Sequence, residues 1–185
     1  MKRGKLSFNF TTYLKGLART GWMQRGVPKG LAESVAEHSF ESAIIAFELS
    51  NFLAKEGVKI NPEKTAVVAL LHDLHEVITG DIPRWTSQKV DTKRLEVLAF
   101  KEFNEEIEKL LLEYLLQESI EAKVAFVSDK LSTFIQAKHY YSLGIKEVKE
   151  IMRTTRSSVI KTIQKEEKLK NLRKNNLVKL VYKDF

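Results

Sequence analysis

The sequence predicts an all-α protein, and three observations carry that prediction. Apolar residues return at three- and four-residue intervals along nearly the whole chain, the spacing that places them on one face of a helix. Alternation with a period of two between turn residues is hard to find. Polar helix-start signals stand directly before the periodic stretches.

In chain order, a first helix is expected near Asn9 to Leu17, followed by a glycine-containing stretch from Gly21 to Gly30. Ser34 stands three residues before Glu37, a capping-box pattern that opens a long helix through about Ala54. Asn61, Pro62 and Glu63 supply an N-cap, a proline at the first helical position and an acid in the first turn. Gly80 supplies the stop, so one helix is expected from Pro62 to that glycine, with the apolar run Ala66 to Leu71 in a central, buried position. A third long helix is expected from after Asp91 toward Leu116, and a fourth from near Ser119 to Gly144. One or two more amphipathic helices fill Lys146 to Leu180.

A chain of 185 residues with 43% hydrophobic content fits one domain over residues 1–185, and no Gly- or Ser-rich stretch reads as a linker. Lys and Arg exceed Asp and Glu by 31 to 24, a surface that attracts anions without naming them. The excess is concentrated from Lys161 to Phe185, where eight basic residues face three acids and read as a solvated helical face. The absence of cysteine excludes disulfides, thiolate nucleophiles and Cys-ligated zinc. The first ten residues show no apolar leader, and about 18 apolar residues never run without a charge. A cytoplasmic protein with no membrane partner is expected.

Two of the four histidines, His72 and His75, sit with Asp73 and Glu76 in one pentapeptide. On a helix, His72 and Glu76 would share a face. The order fits neither H-E-x-x-H nor H-x-x-E-H, which removes the common zinc-protease readings. His38 lies on the same helical row as Ile45, Leu49 and Phe52 and is expected to face inward. Asp129 lies among Ala125, Ser132 and Thr133, small residues that leave room for an ion. Taken singly, these residues would equally fit core histidines and ion-paired aspartates.

The pattern His38, His72-Asp73, Asp129 resembles the H…HD…D signature of the HD superfamily of metal-dependent phosphohydrolases. The resemblance narrows to its 5′-deoxynucleotidase branch through Arg19-Thr20-Gly21-Trp22, Glu33-Ser34-Val35-Ala36-Glu37-His38, Thr79-Gly80-Asp81-Ile82-Pro83 and Ser128-Asp129-Lys130-Leu131. It covers about Asn9 to Tyr141. It implies an HD helical bundle with one divalent metal in its core, Mn²⁺, Co²⁺ or Mg²⁺, held by His38, His72, Asp73 and Asp129. It matches Glu76 and Asp81 to catalytic acids, and makes Arg19 and Trp22 the substrate-binding candidates. The implied reaction releases phosphate from (deoxy)nucleoside 5′-monophosphates, and the family's habit of forming dimers implies a homodimer. Bacterial members place the Arg and Trp side by side, whereas the R-T-G-W spacing here is similar to that of eukaryotic members; sugar discrimination is the property this touches. His75 receives no ligand role from the resemblance and reads as a supporting or surface histidine. Arg84 and Lys130 stand beside the motifs, where a phosphate could be met. Two other functions use the same residues: an HD phosphodiesterase or alarmone hydrolase, and a non-catalytic nucleotide or nucleic-acid binder working through the basic C-terminal helices. Nucleic acid is not the expected partner, because a pure binder has no need of Glu76 beside a metal.

Overall fold

The computed structural model describes residues 9–183. The reading of the chain start as lacking an apolar leader falls largely on residues 1–8, outside that range, as do the last two residues of the basic segment. Among the described residues the chain is helical, and its β-structure is one isolated bridge between Ala18 and Ser34.

The helices are α1 Asn9–Gly16, α2 Thr20–Met23, α3 Val35–Lys55, α4 Pro62–Leu71, α5 Glu76–Thr79, α6 Arg84–Ser87, α7 Thr92–Phe100, α8 Glu105–Leu116, α9 Ile120–Ser142, α10 Lys149–Lys165 and α11 Asn176–Lys179. Short 3₁₀ turns at Lys146–Val148, Glu167–Lys174 and Leu180–Tyr182 complete the chain. The start signals operate as their chemistry requires. Ser34 accepts the Glu37 N–H at 3.2 Å while the Glu37 carboxylate accepts the Ser34 N–H at 2.7 Å. Asn61 accepts the Lys64 N–H at 2.8 Å, and Ser119 the Ala122 N–H at 3.0 Å. Each such cap contributes about 0.5–2 kcal/mol.

Two expected helices are broken. The helix expected from Pro62 to Gly80 ends at Leu71, and His72–His75 form tight turns before α5. Their bonds close over three residues: Leu74 N–H to Leu71 O at 2.9 Å and Glu76 N–H to Asp73 O at 3.0 Å. The cause is local competition, because His72 Nδ1 lies 2.6 Å from Ala69 O, one of the last carbonyls of α4. Gly80 still ends the segment, with a φ of 71° that favours glycine. The helix expected from Asp91 to Leu116 divides at Asn104, which accepts the Ile107 N–H at 2.9 Å and is followed by Glu105, Glu106 and Glu108. The intervening turn lets Phe100 and Phe103 both join the cluster of Leu14, Val35 and Leu111.

Helices α3, α4 and α9 pack together at the centre, α8 lies on α4 and α9, and α10 lies along α9. The largest apolar cluster joins Trp22, Leu49 and Leu53 to Val124, Val127 and Leu131 and continues into Val159, Ile163 and Leu169. The late segment is therefore two-faced: its aliphatic side is core, and the eight basic residues from Lys161 on, where described, are all exposed. The run Ala66 to Leu71 is only half as expected. Val68 and Ala69 are buried, but Val67 and Leu70 are 42% and 45% exposed, because α4 meets α3 and α9 on one face only. No helix among the described residues is long and apolar enough to cross a membrane.

Candidate metal centre

The three central helices bring their polar residues together. His38, one turn into α3, is fully buried, as is Asp129 in the middle of α9, where Ala125, Ser128 and Ser132 surround it. The turn after α4 adds His72, buried, and Asp73. His72 Nε2 lies 3.0 Å from Asp73 Oδ2 and 3.9 Å from Asp129 Oδ1; His38 Nε2 lies 3.8 Å and 3.2 Å from the same two oxygens. His38, His72 and Asp73 each offer a ligand atom within 4.8 Å of the others. Asp129 stands just outside that group although it faces both imidazoles, so the two carboxylates converge on the same nitrogens while keeping apart from each other, as like charges do.

The ring nitrogens are oriented for a cation. Ser132 Oγ donates to Glu41 Oε2 at 2.6 Å, so at 3.2 Å from His38 Nδ1 it accepts that nitrogen's proton. His38 Nε2 is then a bare lone pair facing carboxylates. His72 Nδ1 donates to Ala69 O, and His72 Nε2 is buried with no hydrogen-bond partner. Two lone pairs and two carboxylates around one point are unfavourable without a positive charge between them, and nitrogen and oxygen donors of this kind suit a first-row divalent ion. The residues present fit such an ion.

Electrostatics agree with this assignment. Burial, with Arg19 nearby, pushes His38 down to about 4, leaving it neutral, the ligating form. Burial also lowers His72, but the carboxylates of Asp73 and Asp129 outweigh it and raise the imidazole overall; a proton and a cation compete for that nitrogen. Burial works against the Asp73 carboxylate, yet the facing imidazoles hold it well below the usual range. Asp129 is likewise held low against burial, foremost by the Lys130 ammonium. Glu76 behaves in the opposite way: burial, then Asp73 and Asp81, push its carboxyl up to about 10, and its Oε2 is buried without a partner. With no ion at the centre, these surroundings favour its protonated form.

A cavity of about 460 Å³ opens from this cluster and is lined by Asp73, Glu76, Asp81, Asp129, Arg19 and Trp22, among others. Every residue named from the sequence for catalysis or substrate contact thus borders the space beside the ligand set. Asp81 is tied to α2: its carboxylate accepts the Thr20 N–H and its carbonyl the Thr20 hydroxyl. Arg19 Nη1 donates to Glu33 Oε1 at 3.1 Å and to Thr133 at 3.3 Å, while Trp22, 2% exposed, packs on Tyr140 and donates its Nε1–H to Glu33 at 2.8 Å. Trp22 is therefore a core anchor as well as a wall. His75 stands off the ligand cluster with its ring edge on Phe100. Lys130 reaches Asp129 Oδ2 at 2.8 Å, and Arg84 is exposed on α6. A second cavity, about 560 Å³, flanks the other side of the cluster beneath Glu96, Tyr114 and Phe126.

Sequence reasoning gave no role to Glu33, whose carboxylate joins Arg19 and Trp22 and lies 3.9 Å from His38 Nδ1. Its place immediately before the capping serine was a usable signal. Tyr114, donating to Asp129 Oδ2 at 2.6 Å, carried no signal, because it meets the site only through packing of α8 on α9, whereas Glu41 and Ser132 lie one helical turn from His38 and Asp129 respectively and bond each other across α3 and α9.

An all-α bundle in which His38 on α3, His72 and Asp73 in the turn after α4, and Asp129 on α9 converge in the core is a helical domain able to hold a metal ion. Residues 11–173 match the family model described as HD domain, and the chain belongs to that family. It is 33% identical over 139 residues to a protein of Danio rerio named 5′-deoxynucleotidase HDDC2, covering 70% of this chain and 66% of that one. The protein of the same name from Bos taurus is 32% identical over 139 residues, covering 70% of this chain and 64% of its own length. The matched part thus spans slightly less than two thirds of these curated relatives. Among solved structures, a conserved hypothetical protein of Pyrococcus furiosus is 32% identical with a TM-score of 0.84, covering 94% of this chain and 96% of that one.

Proposed function

We propose that residues 1–185 form one HD domain that acts as a metal-dependent phosphohydrolase, releasing inorganic phosphate from (deoxy)nucleoside 5′-monophosphates. Relatives named 5′-deoxynucleotidase support the substrate class. The observation that carries the reading is Glu76, a half-buried carboxyl whose buried Oε2 has no hydrogen-bond partner and which lines the same cavity as Asp73 and Asp129. A binding protein has no use for such a group, whereas a phosphomonoesterase needs a proton for the departing 5′-oxygen.

In this reading His38, His72, Asp73 and Asp129 hold the ion, Mn²⁺, Co²⁺ or Mg²⁺. Bound there, a divalent ion supplies Lewis-acid polarisation of a phosphoryl oxygen and activation of water. Arg19, held firmly cationic by Glu33, Asp73 and Asp129 against the effect of burial, presents its guanidinium to the phosphate. Glu76 gives its proton to the leaving oxygen. Asp81, fixed on Thr20, accepts a sugar hydroxyl, and the Trp22 ring closes the wall beside it. Exposed Phe40, Ile44 and Phe47 on α3, beside Val67 and Leu70 on α4, form an apolar stripe that supports a homodimer. We place the enzyme in the cytoplasm, where its substrates arise.

The test is phosphate release from matched 5′- and 3′-monophosphates, ribo and deoxy, after chelation and readdition of Mg²⁺, Mn²⁺ or Co²⁺. Metal-dependent release from the 5′-isomers alone is expected. Equal rates on both isomers, or cleavage of diesters and pyrophosphates only, would overturn the proposal.

A further inference from the structure

The cavity that holds Arg19 and Asp81 extends onto α10, whose Ile151, Thr154, Thr155 and Ser158 form part of its wall. Elsewhere on α10 the inward positions are aliphatic, with Met152, Val159 and Ile163 in the core. Hydroxyls on a helix face compete with its backbone and add nothing to apolar burial, so three of them at the cavity ask for a chemical reason.

Their hydrogen bonds show what they can recognise. Thr154 Oγ1 donates to Ile151 O at 3.1 Å, Thr155 Oγ1 to Ile151 O at 2.7 Å, and Ser158 Oγ to Thr154 O at 3.0 Å. Each hydroxyl has one proton, and each has given it to its own helix. What remains for the cavity is lone pairs. The Trp22 N–H is likewise committed, to Glu33. With these bonds kept, the wall presents acceptors to the cavity, between the apolar side chains of Ile151 and Ile82.

We propose that Thr154 and Ser158 read the base of the nucleotide, favouring bases with an exocyclic amino group over their oxo counterparts; this rests on the reading of the site as a nucleoside 5′-monophosphatase. The phosphate is drawn to the end of the cavity that holds Arg19, Lys130 and the ligand set, which leaves the base for the wall from α10. The cavity volume suits a ligand of this size. The 4-amino group of cytosine and the 6-amino group of adenine present donors, whereas the 4-oxo of uracil and the 6-oxo of hypoxanthine present acceptors. An acceptor against the hydroxyl lone pairs leaves both unsatisfied. Arg84, exposed beside the same cavity, is the donor that would give the reverse preference if it met the base instead.

Two matched pairs test this, dCMP against dUMP and dAMP against dIMP; in each the exocyclic amino donor becomes an oxo acceptor and the adjacent ring nitrogen gains a proton, so the substitutions at Thr154 and Ser158 report which edge the wall reads. With the metal-loaded enzyme, kcat/KM is expected to be about three- to tenfold higher for the amino member, the net size of one neutral hydrogen bond. Thr154→Val and Ser158→Ala should each move the ratio toward one, with unchanged metal content and far-UV circular dichroism. The same ratios are read in equilibrium binding to the metal-loaded Glu76→Gln protein, which needs no turnover. A wild-type ratio of one, a preference for the oxo members, or a ratio that survives both substitutions would overturn the inference. Binding that prefers amino bases without hydrolysis of any 5′-monophosphate would uphold base reading and sink the phosphatase.

Discussion

Helix α3 buries opposite kinds of side chain along its length. Its N-terminal half buries His38, Ser39 and Ser42 among Val35 and Ala43; its C-terminal half buries Ala46, Leu49 and Leu53 and one hydroxyl, Ser50, which bonds its own helix. The aliphatic half gains about 25 cal/mol for each Å² of apolar surface removed from water. The polar half loses solvation and recovers it only where hydrogen bonds are made, and Ser42 keeps a buried hydroxyl with no partner at all. One helix thus carries a region that holds the fold together and a region that the fold must support. The prediction that follows is a separation of effects between the two.

The sharpest test is Asp73→Ala, which should abolish turnover and metal retention together while leaving the melting temperature of the metal-free protein no lower. Phosphate release and metal analysis measure it, and retained activity would remove Asp73 from the ligand set. Glu76→Gln should lower kcat by about 10²- to 10⁴-fold with metal content intact; loss of the metal would make Glu76 a ligand. In the aliphatic half, Leu49→Ala should cost about 2–5 kcal/mol in urea unfolding, with the folded fraction still binding metal in the same ratio. Ser132→Ala removes the acceptor that sets the His38 tautomer and should weaken metal affinity by about 10- to 100-fold with little change in unfolding. The smallest effect belongs to neither half. Glu166, hydrogen-bonded by Lys123, has a lowered pKa, so its contribution is full above the ordinary value of 4.5 and is lost as pH falls through the lowered one. Glu166→Gln should therefore cost about 0.2–1 kcal/mol near neutral pH and almost nothing in strong acid, which urea titrations at both pH values would show.

The aliphatic half was legible because it follows a period: Ile45, Leu49 and Phe52 repeat as a helix face repeats. The caps Ser34, Asn61 and Ser119 were legible because their chemistry acts within three residues. Asn104 uses the same chemistry, and its helix start was missed because apolar periodicity runs on across it. The turn at His72–His75 was hidden for a different reason, since His72 bonds Ala69 O and its other nitrogen faces Asp129, fifty-seven positions away, and only the first of these is local. His38, His72, Asp73 and Asp129 could be named from an ordered pattern of residue types. Tyr114 could not, because it reaches the centre only through the packing of α8 on α9; Glu33, just before the capping serine, and Glu41, one turn after His38, carried local signals that were not used.

The Tyr140 hydroxyl accepts the Glu33 N–H at 2.8 Å and donates to Leu31 O at 2.7 Å, so α9 ties down the segment that leads into α3. In kinetic terms this closes a loop of more than a hundred residues, and the His38–Asp129 approach closes one nearly as long. Contacts of such separation form slowly, after local helices and neighbouring pairs are in place. The centre is consequently expected to be completed late as the chain folds. A cation that needs all four ligands can bind only the finished molecule, and at about a hundred times its dissociation constant it deepens the native state by about 2.7 kcal/mol. An ion bound as proposed would act as a latch on the completed fold, slowing escape from it without hastening the search that leads there.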